Sequence, residues 1–211
     1  MTGTKKRTTK PIVKAKPHQL TSPEDGSGNG RAARKEATRQ RILVVAKSRF
    51  LEVGFQQVTT REIAELSGVA AGTVFAHFAD KHVLLRAVLS DDIAKVVVEA
   101  QQQIPDNCGW RDAALTYARA LYTFHAQQHQ LSIALLKELV FDRAYLDDQT
   151  AAMTSALASR LPAGSAARRH ALAESVMANY LQILLQGLSS ETHSPAQWVE
   201  RLGQRLALLP D

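Results

Sequence analysis

The stretch Thr59-Thr60-Arg61-Glu62-Ile63-Ala64-Glu65-Leu66-Ser67-Gly68-Val69-Ala70-Ala71-Gly72-Thr73-Val74-Phe75-Ala76-His77-Phe78-Ala79-Asp80-Lys81 decides the fold. Thr59 and Glu62 have capping-box spacing, in which the hydroxyl takes an orphan amide and the carboxylate reaches back, so a helix starts at Thr60. Ile63, Ala64 and Leu66 form its buried side, and Gly68 stops it after two turns. Val74, Phe75 and Phe78 resume a helical pattern within a few residues. Two short helices joined by a glycine-containing turn make a helix-turn-helix. Ala64 is small where the helices cross, and Ile63, Val69 and Val74 wedge the angle. Helical hairpins without a nucleic-acid role share this pattern.

Upstream, Ile42, Val45, Ala46, Phe50 and Val53 fall on one face of a helix expected over 38–53, ended by Gly54. Downstream, Asp80 caps a long helix from Lys81 with Val83, Leu84, Ala87 and Val88 on one face. Further helices are expected near 81–103, 111–128, 130–141, 144–160, 166–188 and 195–208. They are separated by Pro105-Asp106-Asn107-Cys108-Gly109, Leu161-Pro162-Ala163-Gly164 and His193-Ser194-Pro195. No alternating strand and no repeat interrupts this pattern. The fold class is all-α: a three-helix helix-turn-helix domain followed by a larger helical domain.

The chain has 211 residues, enough to bury a sizeable core. Its +6 net charge is concentrated at the start. Residues 1–40 hold ten Lys/Arg against three Asp/Glu, whereas residues 41–211 hold sixteen against seventeen. Residues 1–36, with Gly26-Ser27-Gly28-Asn29-Gly30, read as a disordered basic arm that either tracks a polyanion or remains a solvated tail. One cysteine, Cys108, excludes an intrachain disulfide and a multi-cysteine zinc site. No apolar run reaches the roughly 18 residues of a membrane span, and no apolar stretch follows the basic start. The expected location is the cytoplasm, with no membrane partner.

The motifs together resemble the TetR family of bacterial transcriptional regulators. The resemblance runs through Ile42, Ala46, Phe50, Gly54-Phe55, then Thr59-Thr60-Arg61-Glu62-Ile63-Ala64. It continues through Gly68-Val69, Gly72-Thr73-Val74-Phe75, His77-Phe78, Asp80-Lys81 and Leu85, and so covers about residues 38–90. Ala70 stands where a capping Ser or Thr is frequent, Phe75 where Tyr is frequent, and Arg49 where Leu is frequent.

The resemblance implies a DNA-binding domain over 37–85 and a ligand-binding and dimerisation domain over 86–211. It implies that the helix opening at Ala71 enters the major groove. Thr60, Arg61, His77 and Lys81 are then candidate phosphate contacts, and Thr73 a phosphate, base-edge or thymine-methyl contact. Ala71 and Gly72 approach base edges, and Phe75 packs on sugar or a thymine methyl. Arg31, Arg34 and Lys35 are candidates for the DNA backbone or minor groove.

In similar proteins the later helices enclose a ligand cavity. The candidate lining residues are Tyr117, Leu121, Phe124, His125, Phe141, Met153, Met177, Tyr180 and Leu184, each of which also reads as ordinary core. Leu181, Leu185, Leu188, Trp198, Leu202, Leu206 and Leu209 give the last two helices more apolar surface than a single body needs, which implies a two-fold homodimer. His125 and His129 lie four apart, but no acidic third ligand accompanies them, so no metal and no cofactor is expected. The expected partners are an operator duplex, a small-molecule effector of unknown identity and a second copy of the chain. The function implied is a repressor released by that effector. The rival reading is a small all-helical enzyme or scaffold whose hairpin is only structural. The set Thr60, Arg61, Thr73, His77 and Lys81 with the basic arm argues against it.

Overall fold

The computed structural model describes residues 27–139, 143–161, 164–190 and 194–210. Among these, nine helices and no strand occur: α1 Ser27–Val53, α2 Thr60–Leu66, α3 Ala71–His77, α4 Lys81–Gln102, α5 Trp110–Gln127, α6 His129–Leu139, α7 Arg143–Arg160, α8 Ala166–Leu188 and α9 Pro195–Leu206. None of them is long and apolar enough to cross a membrane.

The first helix begins at Ser27, not at Thr38, so residues 27–36 are helical where a disordered arm was expected. The run Arg31-Ala32-Ala33-Arg34-Lys35-Glu36-Ala37 consists of strong helix formers, and it outweighs the glycines that precede it. The earlier part of the expected arm lies outside the described residues. Residues 27–36 and residues from 37 onward fall in two separate units, and the helix-turn-helix and every later helix belong to the second.

Two apolar clusters organise this second unit. Ile42, Ala46, Phe50, Phe55, Val58, Ile63, Val74, Phe78, Leu84, Leu85, Val88 and Leu89 knit α1–α3 to the first turns of α4. Gly54 and Gly68 hold φ of 89° and 64°, the left-handed region that a side chain disfavours, and so turn the chain sharply out of α1 and α2. Phe124, Leu131, Leu135 and Leu139 of α5 and α6 complete this cluster. The second cluster gathers α5, α8 and α9 with part of α7, around Leu121, Tyr122, Val176, Ile183, Trp198 and Leu202. Tyr122 stacks on Tyr180 at 4.9 Å and meets the edge of Trp198 at 5.7 Å. Ile93 and Val96 of α4 pack against both clusters.

The apolar stripe of the last two helices is mostly internal. Leu188, Trp198, Leu202 and Leu206 are buried within the chain, Leu181 and Leu209 are half-buried, and only Leu185 is exposed. The stripe of α9 is taken up by α5 and by Gly187 of α8, so it is not free for a partner. Ser194 and Gln197 form a reciprocal capping box at the start of α9, with Pro195 in the first turn.

Candidate nucleic-acid interface and effector cavity

The helix-turn-helix forms as its spacing requires. Thr59 caps α2 by accepting from the Glu62 amide at 3.1 Å. The reciprocal half of the expected capping box is replaced: the Glu62 carboxylate accepts from Arg49 Nε at 2.8 Å, across to α1. Arg49 also bonds Glu52 at 2.6 Å, and these two carboxylates raise the guanidinium's pKa. Arg49, at a position where Leu is frequent, therefore braces α1 against α2.

On α3, Val74 is fully buried and Phe78 nearly so, which leaves Ala71, Gly72, Phe75 and Ala76 on the exposed face. Phe75 is 52% exposed, an unusual state for a phenyl ring in a well-packed small helix. A Cβ at Gly72 would meet nothing within 4 Å, so the backbone there is open to close approach. Thr73 and His77 are half-buried at the edges of that face. Ala70 provides no side-chain cap, and the Thr73 amide turns back to the Ala70 carbonyl at 2.9 Å. Thr60 opens α2 and is half-buried; Arg61 beside it is exposed and reaches Glu65 at 3.2 Å.

Lys81 is placed differently from the expectation of a simple phosphate contact. Its ammonium donates to the carbonyls of Phe55 at 2.9 Å, Gln56 at 3.1 Å and Val58 at 3.0 Å. An ammonium has three donors, so all are used within the fold. Partial burial lowers its pKa. Lys81 ties the α1–α2 loop to the start of α4. The sequence offers a cation at this position, but only the tertiary path brings it to these carbonyls.

A second candidate site lies in the helices after α4. A cavity of about 60 Å³ is lined by Leu121 and His125 of α5, Met153 of α7, and Tyr180 and Leu184 of α8, all among the expected residues. Ile93, Leu135, Leu136, Leu139, Thr150 and Leu181 complete it and were missed. The α6 leucines gave a usable signal, a repeat of one helix face at 135 and 139. A smaller space of about 10 Å³ adjoins it, sharing Leu121, Met153 and Tyr180 and adding Tyr117 and Met177. Phe124 belongs elsewhere: one turn from Leu121 on α5, it packs with Leu131 and Leu135 in the cluster that includes the first turns of α4. Phe141 lies outside the described residues.

His125 is 5% exposed, and its Nδ1 lies 2.9 Å from the buried Ser132 hydroxyl. Burial pushes its pKa down to about 4, so the ring is neutral at pH 7. His129 instead bonds the Leu188 carbonyl at 2.9 Å, so the two histidines serve different partners. From α1, Lys47 pairs with Asp92 at 2.7 Å and Arg39 with Asp91 at 3.8 Å, and the His82 ring lies 3.1 Å from the Glu138 carboxylate of α6.

Residues 42–88 match the family model described as bacterial regulatory proteins, tetR family. Over 97 residues the chain is 29% identical to the HTH-type transcriptional repressor AcnR of Corynebacterium glutamicum, a match covering 41% of this chain and 52% of that protein. The chain thus spans about half the length of the curated relatives it matches. Its fold is that of Thermus thermophilus FadR, a TetR-family repressor solved with lauroyl-CoA, at a TM-score of 0.64 and 21% identity over 81% of this chain and 92% of that one. RolR, solved with resorcinol, superposes at a TM-score of 0.62 and 18% identity, over 86% and 99% of the two chains. Residues 42–88, which hold the helix-turn-helix, are thus similar to the tetR family of bacterial regulatory proteins, and the fold of the chain is that of solved regulators of that kind.

Proposed function

We propose that this chain is a repressor that binds a pseudo-palindromic operator as a two-fold dimer and leaves it when a small-molecule effector occupies the cavity between α5 and α8. Residues 37–85 serve as the DNA-binding domain and residues 86–211 as the effector-binding and dimerisation domain, in the cytoplasm where the DNA is. The reading makes it a regulator rather than an enzyme. The observation that carries it is the exposed face of α3, on which Ala71, Gly72 and Phe75 stand clear while Val74 anchors the helix from behind. In this reading those residues and Thr73 meet base edges, and Thr60, Arg61 and His77 meet phosphates.

The dimer forms through the outer faces of α8 and α9, where Leu185 is exposed. Half-site centres then lie at least one helical turn apart, roughly 34 Å. AcnR is named a repressor, and FadR and RolR were solved with small molecules, which supports both halves of the reading. A mobility-shift titration on the DNA upstream of the chain's own gene, against random duplex at the same salt, tests it. Retardation of the upstream fragment alone is expected; equal binding to both fragments overturns it.

A further inference from the structure

We propose that the effector is an uncharged, largely apolar molecule with one hydroxyl group, held where His125 and Tyr180 meet the cavity. This rests on the reading of the cavity as the effector site and narrows its chemistry. Among the described lining residues no side chain carries a charge. An ion buried there would lose its hydration with no charged partner among the described residues, at a cost far above what contact with leucines returns. His125 does not change this, because burial keeps its imidazole neutral and unable to balance a carboxylate.

The polar demand of the cavity is narrow. His125 Nδ1 is engaged by Ser132 at 2.9 Å. The other ring nitrogen and the Tyr180 hydroxyl have no hydrogen-bond partner among the described residues, although the two side chains are 5% and 6% exposed. Buried polar groups of this kind are normally satisfied. The Ser132 hydroxyl can either donate to Nδ1 or accept from it, so the free Nε2 is a donor in one tautomer and an acceptor in the other. A hydroxyl, which both donates and accepts, fits either state, and it can engage the tyrosine hydroxyl as well.

Size points the same way. A dry cavity of about 150 Å³ holds benzene, whereas this one is about 60 Å³. Met153 borders both this cavity and the adjoining 10 Å³ space. Its unbranched side chain has the rotamer freedom to swing aside and join them. Even joined, the two spaces stay below a benzene-sized cavity, so a single small ring enters only as Met153 and its neighbours yield, and a long chain finds no room.

The test uses full-length protein at neutral pH with para-ethylphenol, ethylbenzene and para-ethylbenzoate at equal concentration, read by thermal shift and by calorimetric Kd. The phenol is expected to raise Tm and to bind about tenfold tighter than ethylbenzene, the ratio one buried hydrogen bond supplies. The benzoate is expected to leave Tm unchanged. His125→Phe should bring the phenol-to-ethylbenzene ratio close to one. Tyr180→Phe, which removes only an oxygen, should lower that ratio severalfold even where His125→Phe folds poorly. Benzoate binding as tight as the phenol, an unchanged ratio in Tyr180→Phe, or no binding by any of the three overturns the proposal. Operator release is read separately: a phenol that binds with the expected ratio yet leaves the operator complex intact sinks the effector reading and not the ligand class.

Discussion

The ammonium of Lys81 lies 4.6 Å from the centre of the Phe55 ring and donates to the Phe55 carbonyl at 2.9 Å. Together with its bonds to Gln56 and Val58, this makes Lys81 the closure of the α1–α2 loop. Lys81→Ala strands three carbonyls in a half-buried place and removes charge-assisted bonds. A loss of about 1–3 kcal/mol of stability is expected. Urea unfolding of the variant checks it, and an unchanged midpoint would refute the closure role.

Arg61 behaves oppositely. Its pair with Glu65 is exposed, and such pairs contribute about 0.3–0.5 kcal/mol. Arg61→Ala should leave the unfolding midpoint almost unchanged while weakening binding to every duplex. The slope of log affinity against log salt should flatten by about one charge. Thr73→Ala, at the edge of the exposed α3 face, should instead reorder preference among operators. Equal losses on all sequences would assign Thr73 to phosphate.

The α2–α3 hairpin was legible because its signals are local: a capping threonine, a stop glycine and apolar residues one turn apart. The cavity was half legible. Periodicity put Leu121, His125, Tyr180 and Leu184 on inward faces but gave no means of separating Phe124, since α5 buries two sides, one toward each apolar cluster. The stripe Trp198, Leu202 and Leu206 states that α9 buries a face; it does not state against what. The answer was α5 and Gly187 of the same chain. Lys81 was unreadable for a related reason, since its partners are backbone carbonyls 23 to 26 residues away, which no residue type advertises.

The buried His125 gives stability a pH dependence. Its folded-state pKa is lowered to about 4 from 6.5, so between these values the unfolded chain binds more protons than the folded one. Its contribution is complete above pH 6.5, declines as the pH falls, and is lost by about pH 4. The total is about 3 kcal/mol from the size of the shift. The difference between wild type and His125→Phe in chemical unfolding should therefore change across that window and be flat above it. A parallel pair of curves throughout would show that the ring takes up its proton equally well in the folded and the unfolded chain, and would refute the lowered pKa.

Gly187 lets α9 lie against α8. A Cβ there would overlap the ring of Trp198, which is 2% exposed and has no room to retreat. Gly187→Ala should cost about 1–3 kcal/mol through overpacking. It should also weaken self-association, because the proposed dimer face is the outer side of the same two helices. A fall in Tm and a rise in the dimer dissociation constant in sedimentation check the two effects separately.

Several ties converge on α4. Lys81 closes the α1–α2 loop onto its first turn, and the His82 ring meets the edge of Phe55 at 5.2 Å. Lys47 holds Asp92, and Arg39 reaches Asp91 at 3.8 Å, nearly three turns further along. Both ends of this length of α4 are thus secured to α1 and its loop, so a tilt of α4 is expected to carry the exposed α3 face with it. In the proposed function, an effector then changes where that face points without changing what it reads. Choice of DNA sequence and choice of effector become separable traits: substitutions on α3 are expected to retarget the protein with its chemical sensitivity intact, and substitutions around Met153 and His125 to retune the sensitivity at a fixed set of genes.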